Sequence, residues 1–299
     1  MGVDGRADED EDMRHIIPIS GKDSLATALV QIAYDKNLPY EFFVNVVGKE
    51  LPPFWSWLSL ASETIGAPIE CIKSDLAAIT AHRGILPSAT VRFCTRDAKI
   101  APMERWIGIE PATIYYGLRA DEEQRQGYNE NGRIIAKYPL REHKLDIFAV
   151  WAILEAKNLL PPAFIFYEVE TAVKKRMGVD FEITKRLRPW HYNQLFSGRS
   201  RQFNCFDCFY MRRYEWAYMF LHWPEQFWRA VEIEETTGAS DYTLIKDYPL
   251  RRFADTHEEI VKRRAEAVTR ALYKLAQMNI FEEMPEELGM TSCGMFCGK

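Results

Sequence analysis

The stretch Arg14-His15-Ile16-Ile17-Pro18-Ile19-Ser20-Gly21-Lys22-Asp23-Ser24 decides how the rest of the chain is read. An apolar run of strand length ends at a Ser-Gly pair, and Leu25, Ala28, Leu29 and Ile32 then recur at helical spacing. This is strand, tight turn, helix. Each part of the turn suits an anion. Gly21 lets a ligand come close to the backbone, the first turn of the helix leaves N–H groups without intrahelical acceptors, and its dipole favours negative charge. Lys22 brings a point charge, and Ser20 and Ser24 bring hydroxyl donors. The same residues also read as a capped helix start with a solvent-facing lysine. Two widely separated glycines before Gly-Lys-Ser/Thr are absent, which disfavours a Walker-type NTPase.

Working outward, Tyr40–Val47 is β-rich and reads as a second buried strand. After the Pro52-Pro53 break a helix carries Trp55, Leu58 and Leu60 to about Ile65. Ile69–Lys73 is a third strand and Ala112–Leu118 a fourth. Asp146 opens a strongly apolar helix that stops before Pro161-Pro162. Short apolar strands alternating with amphipathic helices predict an α/β, Rossmann-like domain over residues 14–170, with a mostly parallel sheet and helices on both faces. Ligands in that architecture bind at the carboxyl ends of the strands. Beyond 170 the strand signals fade. Thr256-x-x-Glu259 reads as a capping box for a long helix whose buried face is Val261, Ala265, Val268, Leu272 and Leu275. Residues 171–299 are therefore expected to form a helical, cysteine-bearing extension.

A chain of 299 residues that is 47% hydrophobic and 27% charged is no disordered tail, collagen-like repeat or coiled-coil rod. The richest apolar stretch, Leu145–Leu160, carries Asp146, Glu155 and Lys157, so no membrane span is expected. Residues 1–13 hold Asp4, Asp8, Glu9, Asp10, Glu11 and Asp12, the reverse of a targeting peptide; they are expected to be a disordered acidic tail, and the chain cytoplasmic. Six cysteines are too few for a disulfide scaffold and read as metal ligands, nucleophiles or buried packing groups.

Ile19-Ser20-Gly21-Lys22-Asp23-Ser24 resembles the SGGKDS pyrophosphate loop of the adenine-nucleotide α-hydrolase superfamily, which includes the phosphoadenosine phosphosulfate reductases. Three later segments resemble that family in the same order. Arg92-Phe93-Cys94-Thr95-Arg96-Asp97-Ala98-Lys99-Ile100-Ala101-Pro102 is similar to its R-x-C-T-x-x-x-K-x-x-P segment, and Gly117-Leu118-Arg119-Ala120-Asp121-Glu122 to its G-x-R-A-D-E turn. Pro139-Leu140 through Asp146-Ile147-Phe148 is similar to its P-L-x(5)-D helix start. Two departures stand out: Ile19 and Ser20 replace the leading Ser and first Gly of the loop, and Asn45-Val46-Val47-Gly48 lacks the acid of the Asp-Thr-Gly that many members carry after that strand.

The resemblance implies an adenine nucleotide, phosphoadenosine phosphosulfate or ATP, held by Ser20, Gly21, Lys22, Asp23 and Ser24, with Arg119 on phosphate or sulfate. Arg119 also has the general option of pairing with Asp121 or Glu122 at the surface. Cys205-x-x-Cys208 suits one metal or cluster iron. The resemblance adds Cys94, implying Cys94, Cys205 and Cys208 as three ligands of an iron–sulfur cluster; Thr95 stands where the family's fourth cysteine would, and zinc or buried thiols remain open. Cys293-Gly294-Met295 resembles the family's nucleophilic tail, with Ser292 and Phe296 in place of its Glu and His, and makes Cys293 the candidate nucleophile, against the alternative of a frayed tail with incidental cysteines. From Lys174 to Arg213 ten Lys/Arg stand against Asp180, Glu182 and Asp207, interleaved with aromatics. This suits either a nucleic-acid surface or a helical wall with Arg stems over rings.

The implied function is reduction of an activated sulfate to sulfite by thiol attack, with thioredoxin-like thiols as reductant. The alternatives are an ATP pyrophosphatase-type sulfurtransferase acting on DNA or tRNA, and a nucleotide-binding regulatory protein without catalysis.

Overall fold

The computed structural model describes residues 13–129, 132–199, 208–237 and 243–278. The acidic tail at 1–12 lies outside them, as do Cys205 and Cys293. The described residues form two compact units: 13–76 with 93–161, and 77–92 with 162–278. Where the sequence placed a boundary at 170, the units part between Pro161 and Pro162.

The first unit is built on five parallel strands in the order β3-β2-β1-β4-β5. They are β1 (Arg14–Pro18), β2 (Tyr40–Val47), β3 (Ile69–Ser74), β4 (Ala112–Tyr115) and β5 (Ile134–Lys137). The helices between them are α1 (Lys22–Tyr34), α2 (Pro52–Ile65), α3 (Leu76–Arg83, which passes into the second unit), α4 (Phe93–Thr95), α5 (Ala101–Ile107), α6 (Pro139–Glu142) and α7 (Ile147–Ala156). This is the expected Rossmann-like α/β fold with helices on both faces of the sheet. Phe42 to Val47 are buried without a break, as a central strand of a covered parallel sheet requires. One face packs Ile16, Phe43 and Ile114 against Met103 and Ile107 of α5, while α1 lies beside α2, α6 and α7. Pro18 ends β1 where its missing N–H costs least, and Ile19 N–H then donates to the Phe43 carbonyl at 2.6 Å. The short edge strand β5 has no signal in the sequence, since Ile-Ile-Ala-Lys does not alternate apolar with polar residues and only Ile134 is deeply buried.

Between α4 and α5 the chain makes a π turn over Arg96–Ile100. Pro102 explains it: a proline has no N–H for the carbonyl four residues back and its ring crowds that carbonyl. The carbonyl is that of Ala98, and the Ser74 hydroxyl at the end of β3 donates to it at 2.8 Å. The Cys94–Pro102 motif is thereby tied to the carboxyl end of the sheet.

Among the described residues the second unit is helical, with no strand beyond isolated bridges. It holds α8 (Tyr167–Met177), a 3-10 stretch (Gly178–Arg186), α9 (Pro189–Phe196), α10 (Arg213–His222), α11 (Pro224–Thr236), a 3-10 turn (Leu250–Arg252) and α12 (Phe253–Met278). Ala265, Val268, Leu272 and Leu275 of α12 are buried as the periodicity predicts, while Val261, on the same predicted face, is half-buried. The capping box does not form. α12 starts at Phe253, so Thr256 sits inside the helix and its hydroxyl donates to the Arg252 carbonyl, while Glu259 pairs with Arg263. The buried Glu234 carboxylate accepts from Leu244 N–H and Leu250 N–H, each at 2.7 Å, and closes the turn before α12. Burial pushes its pKa above the usual carboxylate value against those two bonds. No helix among the described residues is long and apolar enough to cross a membrane.

Candidate functional site

From β1 the chain runs to β2 and β3 on one side and returns on the other side with β4. The strand order therefore reverses between β1 and β4, and such a switch point opens a crevice outside the carboxyl ends of the two strands. The loop after β1 is Ile19 to Gly21 and the loop after β4 is Tyr116 to Arg119, so topology brings two sequence motifs about a hundred residues apart to one place. They touch directly. A Cβ added to Gly117 would lie 2.6 Å from the Ser24 nitrogen and 2.8 Å from its Cα. Only a glycine lets the β4 loop come this close to the head of α1.

Within the first loop the Ser24 hydroxyl accepts from Ser20 N–H at 2.8 Å and Gly21 N–H at 3.0 Å, and donates back to the Gly21 carbonyl. The sequence reading has Ser24 as a donor to a ligand; here its hydroxyl shapes the loop that presents the helix head. Gly21 has an extended backbone, and a Cβ there would meet nothing within 4 Å. The space above this residue is open, beside the N–H groups that begin α1.

Behind the loop lies an ionic cluster built around two buried cations, Lys22 and Arg119. Lys22 Nζ donates to both oxygens of Asp23, at 2.8 and 2.7 Å. Arg119, 2% exposed, donates through Nη1 to Asp23 Oδ1 at 3.2 Å and through Nε and Nη2 to Asp121 at 2.8–3.2 Å. Glu122 lies 3.6 Å from Nη1 and pairs in turn with Arg125. Arg119 thus does pair with its two acidic neighbours, the exposed Asp121 and the half-buried Glu122, and with Asp23 as well. Burial pushes the Lys22 amine below its usual pKa, more strongly than Asp23 lifts it. Burial pulls the Asp23 carboxyl upward, yet the charges of Lys22 and Arg119 outweigh it and hold the pKa below the usual carboxylate value. For Arg119 burial works downward and the three carboxylates prevail, raising its pKa further. Lys22, Arg119 and Arg125 balance Asp23, Asp121 and Glu122, so side-chain charge at the head of α1 cancels and two cations stand close to a helix N-terminus.

No protein-family profile, curated protein or solved structure matches this chain.

The remaining predicted residues are less gathered. Cys94 is half-buried on α4, in the first unit, and Cys208 half-buried in the second. With Cys205 outside the described residues, no group of three or more His, Cys, Asp or Glu able to hold a metal occurs among those described. The three thiols read as ligands fall one short of the four that a cluster takes. In the basic stretch Lys174, Lys175, Arg176, Lys185, Arg186 and Arg188 are exposed, while Trp190 and Phe196 are buried and Phe181 and Tyr192 half-buried. These rings build the interior of the helical unit, and Trp190 and Phe196 offer no face for a base to stack on.

Sequence reasoning passed over several residues that shape the site. Gly117 was visible within its motif, although not as the contact point with Ser24. Arg141, which binds carbonyls of the 119–125 segment, sits at a variable position of the P-L-x(5)-D pattern and gave no signal.

Proposed function

We propose that the first unit binds an adenine nucleotide at the switch point between β1 and β4. Its phosphates lie over Gly21 at the head of α1, between Lys22 and Arg119. The observation that carries this reading is the meeting of the two loops at Gly117, which puts two buried cations beside a helix N-terminus under open space. Anion binding by backbone N–H groups needs such close approach, and cations already fixed by Asp23 and Asp121 lose little freedom when a phosphate arrives.

On the resemblance of the four ordered motifs, we read the chain as a cytoplasmic enzyme of the phosphoadenosine phosphosulfate reductase type. The Cys293 thiolate attacks the sulfur of the bound phosphosulfate and the sulfur–oxygen bond to phosphate breaks. The nucleotide leaves as the bisphosphate and the cysteine carries an S-sulfonate. A thiol of a thioredoxin-like dithiol attacks the cysteine sulfur, sulfite leaves with the electron pair, and the second thiol resolves the mixed disulfide. Two thiols are oxidised as sulfur is reduced by two electrons. The nucleotide loop's part is to hold the leaving group by its phosphates.

The exposed cations at 174–188 favour one other reading, a sulfurtransferase that adenylates a nucleic acid. A single experiment separates the two: sulfite release from phosphoadenosine phosphosulfate measured beside AMP formation from ATP. Deleting residues 290–299 should abolish sulfite release and leave nucleotide affinity within about twofold, because the tail acts in the chemical step. Full sulfite release by the truncated chain removes Cys293 as nucleophile. AMP formation without sulfite release favours the sulfurtransferase.

A further inference from the structure

Beyond its one 3-10 turn (Ala120–Glu122), the segment from Arg119 to Tyr128 has no regular structure; within it the Arg119 carbonyl accepts from Glu122 N–H at 3.1 Å and the Glu122 carbonyl from Arg125 N–H at 3.0 Å. One side chain from outside reaches both of these carbonyls and a third. Arg141, on α6, donates through Nη2 to the Arg125 carbonyl at 2.6 Å and to the Glu122 carbonyl, and through Nε to the Arg119 carbonyl at 3.4 Å. Its guanidinium lies 4.9 Å from the centre of the Tyr138 ring. The far end of the segment is tied by tyrosines: Gly127 N–H donates to Tyr138 Oη and Tyr116 Oη donates to the Tyr128 carbonyl, both at 3.0 Å. A planar guanidinium can serve several carbonyls at once from a fixed fork, which a single ammonium cannot.

We propose that Arg141 is the positioning residue for Arg119. The guanidinium that holds the Arg119 carbonyl also holds the backbone at Glu122, and the carboxylates of Asp121 and Glu122 are what aim the Arg119 side chain across to Asp23. Arg141 itself is not among the groups that bond Asp23 or Lys22; it acts by fixing the backbone on which the Arg119 cation and its two acidic partners stand. This rests on the nucleotide reading above for its functional consequence, and on the segment alone for its structural one.

Two measurements test it, with Arg141→Gln and, as a variant that keeps the charge, Arg141→Lys. The first is amide hydrogen exchange of the ligand-free protein. Exchange should rise across 119–128 in both variants while the remainder of the first unit keeps its protection. The second is calorimetric titration with ATP and with phosphoadenosine phosphosulfate. For whichever binds the wild type, each variant should lose about tenfold in affinity, yet Arg141→Gln should add less than about twofold in an Arg119→Ala background, because a residue acting through Arg119 has nothing left to position. Unchanged exchange in 119–128, exchange rising through the whole unit, or an equal affinity loss in both backgrounds would overturn the proposal. If the wild type binds neither nucleotide, the site reading fails, and the exchange result alone decides whether Arg141 holds the segment.

Discussion

Replacing Gly117 by alanine puts a methyl carbon 2.6 Å from Ser24 N, 2.7 Å from Asp23 C and 2.8 Å from Ser24 Cα. Ordinary contact begins at 3.4 Å, so the shortest of these falls about 0.8 Å short. All three neighbours are backbone atoms, so no side chain can swing aside. The backbone of Gly117 does not have the positive φ that makes alanine strained, which leaves this contact as the sole obstacle. The β4 loop and the head of α1 must separate, and overpacking of this kind costs about 1–3 kcal/mol. In a unit of this size that lowers the midpoint of thermal unfolding by about 2–12 °C. Because the displaced atoms carry the anion site, affinity for the nucleotide should fall by about tenfold or more. Gly21→Ala is the matching control. Its methyl meets nothing within 4 Å and its backbone is extended, so stability should stay within about 0.5 kcal/mol of wild type. Affinity should nevertheless fall about tenfold, since the methyl occupies the space where phosphate meets the loop. Thermal unfolding and calorimetric titration of both variants settle the matter. Wild-type stability for Gly117→Ala would refute the packing argument. Wild-type affinity for Gly21→Ala would place the phosphates somewhere other than over this loop.

Ser74→Ala removes the donor to the Ala98 carbonyl, which Pro102 cannot serve, and should cost about 1–3 kcal/mol in urea unfolding; a loss under about 0.5 kcal/mol would show that the carbonyl has another partner. His191 is fully buried, and neither ring nitrogen has a hydrogen-bond partner among the described residues. Burial, aided by the Arg188 charge, pushes its pKa from the ordinary 6.5 down to about 4. Between those values the unfolded chain binds more protons than the folded one, so stability should fall as pH drops from about 6.5 to about 4. His191→Phe should flatten that part of the profile, and an unchanged slope would assign it to other groups. The cluster that the resemblance implies is tested by anaerobic purification: bound iron and sulfide that Cys208→Ser and Cys205→Ser each lose would support it, and colourless, iron-free wild-type protein would remove it. Lys22→Ala with Ser24→Ala should weaken nucleotide binding at least about tenfold in the same titration.

Local pattern was enough to find β1 to β4, the helix heads at Pro52 and Asp146 and the buried face of α12. Each of these is set by hydrophobic periodicity or by a cap or breaker within a few residues. The Asp146 side chain, for instance, accepts from Ala149 N–H as its place before the apolar run predicts. The same local logic failed at Thr256. Nothing within three residues of it reveals that Phe253 is buried and that the helix has already begun there. Arg119 was legible as a site residue, with Asp121 and Glu122 as its neighbouring partners, but its pairing with Asp23 was not. Whether it meets water or Asp23 depends on β4 lying next to β1, a contact between residues 96 positions apart that only the sheet order creates. Arg141 shows the limit most plainly. Its three acceptors are main-chain carbonyls, which every residue possesses, so no side-chain pattern could announce them. Local sequence set β1 to β4, the helix heads at Lys22, Pro52 and Asp146 and the residue types at the head of α1. The tertiary structure decided which charges face each other there, because burial and strand order, rather than spacing along the chain, set which groups lose water and must find one another.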